Sequence, residues 1–315
     1  MINQLAAHYS TTALCALLNV NHSNYMHFKN YTTSNNQEKA REDTLIRAEI
    51  ESIILKPESS RYGYRPMTKQ LARNGFLINE HVVNHKRVLR IMRDNNLLCE
   101  IKKAFINTTD SNHDFKKYAN LLKKEKVVVV RPDQVWVSDI TYIKLPEGFV
   151  YLAVVIDAYS RKVIGYCLSK HIDTNLALEA LKMAIKERKV VSAHEQIIHH
   201  SDRGVQYASL DYTNLLQFHG IRISMSNPGS PWENGFAESF FKTLKNNEVY
   251  LNDYQNIYEA KENLFKFIND VYNSSRLHSS LGYLPPAEFE ENYYQRLKVE
   301  NIKNYNQTTL ATVLR

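Results

Sequence analysis

The sequence predicts an all-α N-terminal region followed by a mixed α/β domain, and three observations carry that prediction. Apolar residues recur at helical spacing over residues 10–98, they switch to strand-like runs near residue 135, and helical and strand patterns alternate after residue 173. A chain of 315 residues also exceeds one ordinary core, so two or three domains are expected.

In the helical region, residues 10–29 give a short helix that starts at a capping Ser10 and carries Leu14, Leu17 and Leu18. A break at 19–21 and a second short helix come next. This is a helix-turn-helix pattern, although any small helical hairpin reads the same way. Residues 38–55 predict an amphipathic helix with Leu45, Ile46, Ile50, Ile53 and Ile54 on its packing side. Residues 61–98 predict a second helix-turn-helix: a helix through Leu71, a turn at Asn74-Gly75, and a helix capped by Asn79 with Val82, Val88, Leu89 and Met92 inward. On that last helix Lys86, Arg90 and Arg93 share a face, with Arg87 beside it, which suits DNA phosphates or a plain solvated surface. His81 and His85 are spaced as zinc ligands can be, but no second Cys or His pair accompanies them, so packing or surface roles are expected.

From residue 135 the runs VWVSDITYI, FVYLAVVIDAYS and RKVIGYCLS, joined by short turns, predict three antiparallel strands. A helix over 173–189, the strand QIIHHSD, a helix over 210–219, the strand IRIS, the loop SNPGSPWENG and a helix starting near Phe236 come after them. Three antiparallel strands and then βαβα describe an α/β domain of the ribonuclease H type. A last helix over 257–272 precedes a polar tail, expected to be mobile from about Lys298. The expected divisions are 1–55 (helical), 56–98 (basic helix-turn-helix), 99–131 (basic linker), 132–250 (ribonuclease H-like domain) and 251–315 (helix and tail).

Charge tracks these divisions. Residues 56–131 carry 17 basic and 7 acidic side chains, whereas residues 132–315 carry 19 and 21, so the overall +7 comes from the first half. An anion-binding module joined to a near-neutral one accounts for this, with a solvated lysine-rich surface as the alternative. The three cysteines stand far apart with no CxxC pair, which supports neither a disulfide framework nor a thiolate zinc site. No 18-residue apolar stretch and no signal-peptide pattern occurs, so the expected location is the cytoplasm, without a membrane.

Asp139 lies mid-strand among β-branched and aromatic neighbours, a costly place for an acid unless positive charge compensates. Asp202 ends a strand beside the Arg203-Gly204 turn, and Glu238 opens the helix after the 226–235 loop. Singly, Asp202 reads as a turn former and Glu238 as a helix N-terminal acid. Together, three converging carboxylates repel one another, and hard divalent ions such as Mg²⁺ relieve that repulsion. Two such ions serve an in-line phosphoryl displacement.

Thirty-five residues separate Asp202 from Glu238, and Lys245 lies two helical turns beyond Glu238. With WVSDITYI, VIDAYSRKVIGY, HSDRGVQYAS, NPGSPWENGFAESFFKTLK and YNSSRLHSSLGYLPPAEF, this spacing resembles the DDE transposases and retroviral integrases, and more closely the OrfB transposases of insertion-sequence family three. YGYRPMTKQLARNG and HKRVLRIMRDNNL resemble that family's helix-turn-helix, so the likeness spans nearly the whole chain.

The resemblance implies a catalytic and metal-binding triad of Asp139, Asp202 and Glu238, with two Mg²⁺ ions for which Mn²⁺ can substitute. It also implies Lys245 as a donor-end DNA contact. Asp157 matches a recurrent family position that is not a metal ligand. Lys86, Arg87, Arg90 and Arg93 are the helical-module candidates for DNA. Arg203, Asn227, Ser230 and Asn234 are further candidate contacts, the last three from a loop resembling the mobile loop of integrases. His199 and His200 read as phosphate contacts or as packed residues. LKNNE has Asn247 where the family often has an acid, and the integrase-type His/Cys zinc domain is absent.

The implied activity is metal-dependent cleavage at insertion-sequence ends and strand transfer by 3′-OH attack. The implied partners are double-stranded DNA (terminal repeats and target), further copies of the chain on paired ends, and a first-frame OrfA protein as partner or fusion. Nucleoid association goes with that reading. The alternatives are a non-catalytic DNA-binding regulator and a ribonuclease H-like nuclease without strand transfer.

Overall fold

A computed structural model describes residues 2–6, 8–99, 115–190, 197–227 and 230–313. The chain divides into two compact units, one of Met1–Lys56 and Tyr62–Cys99, the other of Pro57–Arg61 and Glu100–Arg315. Residues 100–114 of the expected linker, and Pro228 and Gly229 of the expected loop, lie outside the described residues.

In the first unit, α1 (Ile2–Leu5) and α2 (Thr11–Leu17) precede α3 (His22–Ile54), where the Asn21 side chain accepts from the Asn24 N–H at 3.1 Å. The second short helix and the amphipathic helix expected from the sequence are thus one 33-residue helix. No Gly or Pro occurs between 22 and 54, so nothing in the covalent chain imposes a stop. Ile46, Ile50 and Ile53 are buried while Leu45 faces out. α4 (Tyr64–Arg73) leads into a hairpin, β1 (Leu77–Ile78) with β2 (His81–Val82), and then α5 (His85–Asp94). Asn79, expected to cap the last helix, sits in the hairpin turn at φ 48°, a left-handed conformation that Asn tolerates. Asn84 caps α5 instead, accepting from the Lys86 N–H at 2.9 Å. His81 and His85 therefore stand on different elements, and Val82 is exposed rather than inward. Met67, Leu71, Val88, Ile91 and Met92 close the core of this unit.

The second unit is built on a five-stranded sheet: β3 (Val135–Leu145), β4 (Gly148–Asp157), β5 (Val163–Ser169), β6 (Ile198–Ser201) and β7 (Arg222–Met225), in the order β5-β4-β3-β6-β7. β3, β4 and β5 pair antiparallel; β6 and β7 join parallel on the far side of β3. The connections are α6 (Leu121–Lys124) ahead of the sheet, α7 (Thr174–Glu187) after β5, and α8 (Val205–Ala208) and α9 (Leu210–Phe218) between β6 and β7. α10 (Gly235–Asn247), α11 (Ile257–Lys266) and α12 (Pro286–Val313) complete the unit.

Helices cover both faces. One core layer joins Val135, Val137, Ile143 and Leu145 to Ala237, Phe240 and Leu244 of α10 and to Leu264 and Ile268 from the α11 region. The other joins Trp136, Ile140 and Ile164 to Ala177, Ala180, Leu181 and Ala184 of α7. α7 crosses β5 so closely that a Cβ on Gly165 would stand 2.1 Å from the Ala180 carbonyl oxygen. Residues 115–131, read from the sequence as linker, belong to this unit: Leu121, Leu122, Val127 and Val129 pack on its core. The helix expected over 257–272 is α11 followed by a π-helical turn, Phe267–Asn273. Past residue 298, where a mobile tail is expected, α12 continues to Val313.

Candidate active site

Strand alternation sets the direction of Asp139. Val135, Val137, Ile143 and Leu145 face the α10 layer, so Asp139, of the same parity, points to that side of β3. The parallel pairing of β3 with β6 last joins Val137 to His200. Asp139 and Asp202 each lie two residues further on, at the carboxyl end of β6 where open sheets gather functional groups. Glu238 is an exposed first-turn residue of α10, whose Ala237, Phe240 and Leu244 hold it on the same layer. Burial and the charge of Asp202, with a smaller contribution from Glu238, push the Asp139 carboxyl up to about 8. The Ile140 N–H, donating to Asp139 Oδ1 at 2.8 Å, and the Lys245 ammonium act in the opposite sense. Asp202 Oδ1 accepts from the Gly204 N–H at 2.9 Å.

Asp139, whose ionisation the charges of Asp202 and Glu238 oppose, forms with those two acids an oxygen-only donor set with excess negative charge, which fits a hard divalent cation. The fit is one of charge and donor type; among the described residues no three acids, His or Cys stand close enough to ligate one ion together. Lys245 lies beside this set. Burial lowers its ammonium pKa, Asp139 opposes that, and its Nζ stands 4.3 Å from the centroid of the Tyr142 ring.

The loop before α10 is tied down. Arg203 Nε donates to the Ser226 carbonyl at 2.8 Å, and the Arg203 guanidinium also reaches Asn227 Oδ1 at 3.4 Å. The Asn227 N–H donates to Glu233 at 2.7 Å, and the Ser230 N–H to the Asn227 carbonyl at 3.2 Å. Asn234, only 5% exposed, donates from Nδ2 to the Ser138 carbonyl at 2.9 Å, one residue from Asp139. Glu233, which the sequence did not single out, also accepts from Asn120 Nδ2 at 2.8 Å. An acid in a Gly- and Pro-rich loop carries no sequence signal for that role.

His199 and His200 are buried. His199 Nε2 lies 2.8 Å from Ser138 Oγ and 2.9 Å from the Tyr212 hydroxyl, and His200 Nδ1 lies 2.8 Å from Ser224 Oγ. Burial lowers their pKa values to about 3 and about 4. Both are therefore neutral packing groups at pH 7. Asp157 is fully buried and accepts from the N–H groups of Asp133, Tyr159 and Ser160 and from Ser160 Oγ. It organises the β4–β5 turn and stands outside the cluster. In the first unit, Arg87 pairs with Glu42 and Asp43 at 2.7 and 2.8 Å, and Arg90 with Asp43 at 2.6 Å, whereas Lys86 and Arg93 are exposed.

A mixed sheet of this order, with acids on β3, after β6 and on α10, defines a ribonuclease H-like integrase core. Models of the integrase core domain match residues 129–231 and 219–286, and a model of an HTH-like domain matches residues 40–105. Transposase InsF of insertion sequence IS3A from Escherichia coli K12 is 32% identical over 292 residues, 92% of this chain and 96% of its own length. A 31 kDa protein of insertion element IS600 from Shigella sonnei is 33% identical over 282 residues, 90% of this chain and 99% of its own. The HTLV-2 integrase catalytic core, solved in complex with magnesium, is 19% identical, covers 51% of this chain and 98% of its own, and has a TM-score of 0.38.

The chain belongs to the IS3 family of insertion-sequence transposases: it is a DNA transposase with an HTH-like domain and an integrase core. Neither a non-catalytic regulator nor a nuclease lacking strand transfer is favoured by these relatives. No helix among the described residues is long and apolar enough to cross a membrane.

Proposed function

We propose that Asp139, Asp202 and Glu238 are the catalytic carboxylates of this transposase and that they hold Mg²⁺, or Mn²⁺ in its place. The observation that carries this reading is placement: Asp139 and Asp202 follow the last β3–β6 pair by the same two residues, and Glu238 opens the α10 helix packed on that side of the sheet. When bound, the metal supplies Lewis-acid stabilisation and an activated oxygen nucleophile for phosphoryl displacement. The carboxylates fix where the scissile phosphate sits, and Lys245 neutralises the neighbouring phosphate. One site serves both hydrolysis at the element end and attack by the freed 3′-OH, because each step is a phosphoryl transfer with a different nucleophile.

The HTH-like unit binds the terminal repeats, with Lys86 and Arg93 as its phosphate contacts. Paired ends are held by further copies of the chain, with a first-frame OrfA protein as partner or fusion. Strand cleavage and joining on oligonucleotides carrying the element's own terminal repeat test the assignment. Asp139→Asn, Asp202→Asn and Glu238→Gln each abolish both steps while DNA binding persists. Full activity in any one of them refutes the triad.

A further inference from the structure

A cleft of about 770 Å³ opens where the end of β3, the start of β4 and the 3-10 turn Val249–Leu251 after α10 meet. Its size falls in the range of roughly 300–1,000 Å³ usual for small-ligand sites. Four aromatic rings line it: Tyr142, Phe149, Tyr250 and Tyr254, with Tyr142 and Phe149 edge to face at 5.5 Å. Phe149 is 45% exposed. Two lysines, Lys144 and Lys245, line the same cleft, against the single acid Asp253. Past Val137, β3 pairs with no strand other than β4 among the described residues.

Aromatic faces framed by ammonium groups are the chemistry that holds a single-stranded nucleotide, the ring stacking on the base and the lysine meeting its phosphate. Position supports the same ligand. Tyr142 lies three residues beyond Asp139 on β3, about 10 Å along the strand and of the opposite parity, and Lys245, two helical turns beyond Glu238 on α10, links the two: its charge acts on Asp139 and its Nζ stands 4.3 Å from the centroid of the Tyr142 ring. At roughly 3.4 Å per stacked nucleotide, about three steps separate the acids from the rings.

We propose that this cleft is a nucleobase site, taking one unpaired base of the DNA end whose reacting phosphate sits at the acidic cluster. The inference rests on the proposed catalytic assignment for which phosphate is held, but not for the stacking itself. The site reads the loss of pairing near the cut rather than the duplex sequence. A second copy of the chain is disfavoured as occupant because the cleft pairs its rings with lysines and offers only one acid to oppose them.

The test uses the full chain, in EDTA so that no chemistry intervenes. The probes are a duplex of the terminal repeat with a three-nucleotide overhang containing 2-aminopurine, the same duplex with an abasic overhang, and a blunt duplex. The expected result is quenched 2-aminopurine fluorescence and roughly tenfold tighter binding of the base-bearing overhang than of the abasic one, the scale of one lost base–aromatic stack. Phe149→Ala and Tyr250→Ala remove the quench and the preference while leaving blunt-duplex affinity unchanged. Phe149 is exposed enough for its replacement to leave the core intact. Equal affinity for the base-bearing and abasic overhangs overturns the proposal, as does a quench that survives both substitutions. So does a change in sedimentation of the variants with the base preference intact, which reports a protein partner instead. Asp202→Asn keeps the quench in EDTA and loses cleavage in a parallel assay with Mg²⁺; if it still cleaves there, the catalytic assignment falls and the base site stands.

Discussion

Asn234 shows how one side chain sets the geometry of the acidic cluster. Its amide donates to the Ser138 carbonyl, so the residue that opens α10 is tied to the residue before Asp139. A displacement of about 1 Å at a reacting group costs roughly 10²-fold in rate. Asn234→Ala is therefore expected to slow strand cleavage about a hundredfold at saturating DNA with little change in affinity. A weaker Kd with unchanged saturated rate would instead make Asn234 a DNA contact. The sequence hides this role because an Asn in a loop of Gly and Pro reads as an exposed turn residue, whereas Asp139 announces itself as an acid inside an apolar strand. Asp139 also gives a pH signature. Its folded pKa of about 8 lies above the ordinary 3.8, so the folded state holds a proton that the unfolded chain releases. The stability of metal-free protein should fall as pH rises from about 4 to 8, and Asp139→Asn should flatten that fall. Melting temperatures in EDTA across this range decide it: parallel slopes for the two proteins would show that Asp139 is ordinary. Added Mg²⁺ should restore the wild-type melting temperature at pH 8 and leave the variant unmoved.

At the scale of elements, the core strands are readable because β-branched runs alternate with turns, and the observed strands fall within or within two residues of the expected ones. Helix boundaries are less so. α3 is continuous where two helices are expected, because residues 30–37 are polar and interrupt the apolar pattern yet contain no Gly or Pro to stop the backbone. α12 is hidden by composition: a polar segment with few apolar positions looks like a tail, although no Gly or Pro interrupts it after Pro286. Its docking is set instead by charge. Glu290 accepts both terminal nitrogens of Arg188, at 2.6 and 2.7 Å, and both side chains are less than a tenth exposed. Burial opposes the Glu290 charge, but the Arg188 guanidinium holds its carboxyl below the usual range. Removing Glu290 leaves Arg188 buried with Asp133, 3.2 Å away, as its remaining acidic partner, at a cost of up to about 3–5 kcal/mol. Glu290→Ala should destabilise the second unit by about that much and open α12 to limited proteolysis, while Glu290→Gln loses less because it still accepts one bond. Wild-type melting and an intact α12 in Glu290→Ala would show that aromatic packing of Tyr159 with Phe289 and Tyr293 holds the helix by itself.

For the whole molecule, the positive surplus in residues 56–131 points to DNA, but the structure divides that surplus into two kinds. Arg87 and Arg90 are occupied by Glu42 and Asp43 of α3, and the two guanidiniums hold the Asp43 carboxyl low although burial raises it. These arginines join α5 to α3. Lys86 and Arg93, on the same helix, are exposed and make no ion pair among the described residues. A sequence cannot make this distinction, because Glu42 and Asp43 lie more than forty residues from their partners and only the fold brings them together. The distinction is measurable. Each phosphate contact contributes about 0.9 to the slope of log K against log salt. Lys86→Ala and Arg93→Ala should each reduce the slope of DNA binding by about that amount without changing the melting temperature. Arg87→Ala should leave the slope alone and cost the helical unit about 1–3 kcal/mol, because it strips charged hydrogen bonds from two half-buried acids. If Arg87→Ala lowers the slope and melts like the wild type, the pairing with α3 gives way when DNA binds, and the basic residues of α5 act as one surface.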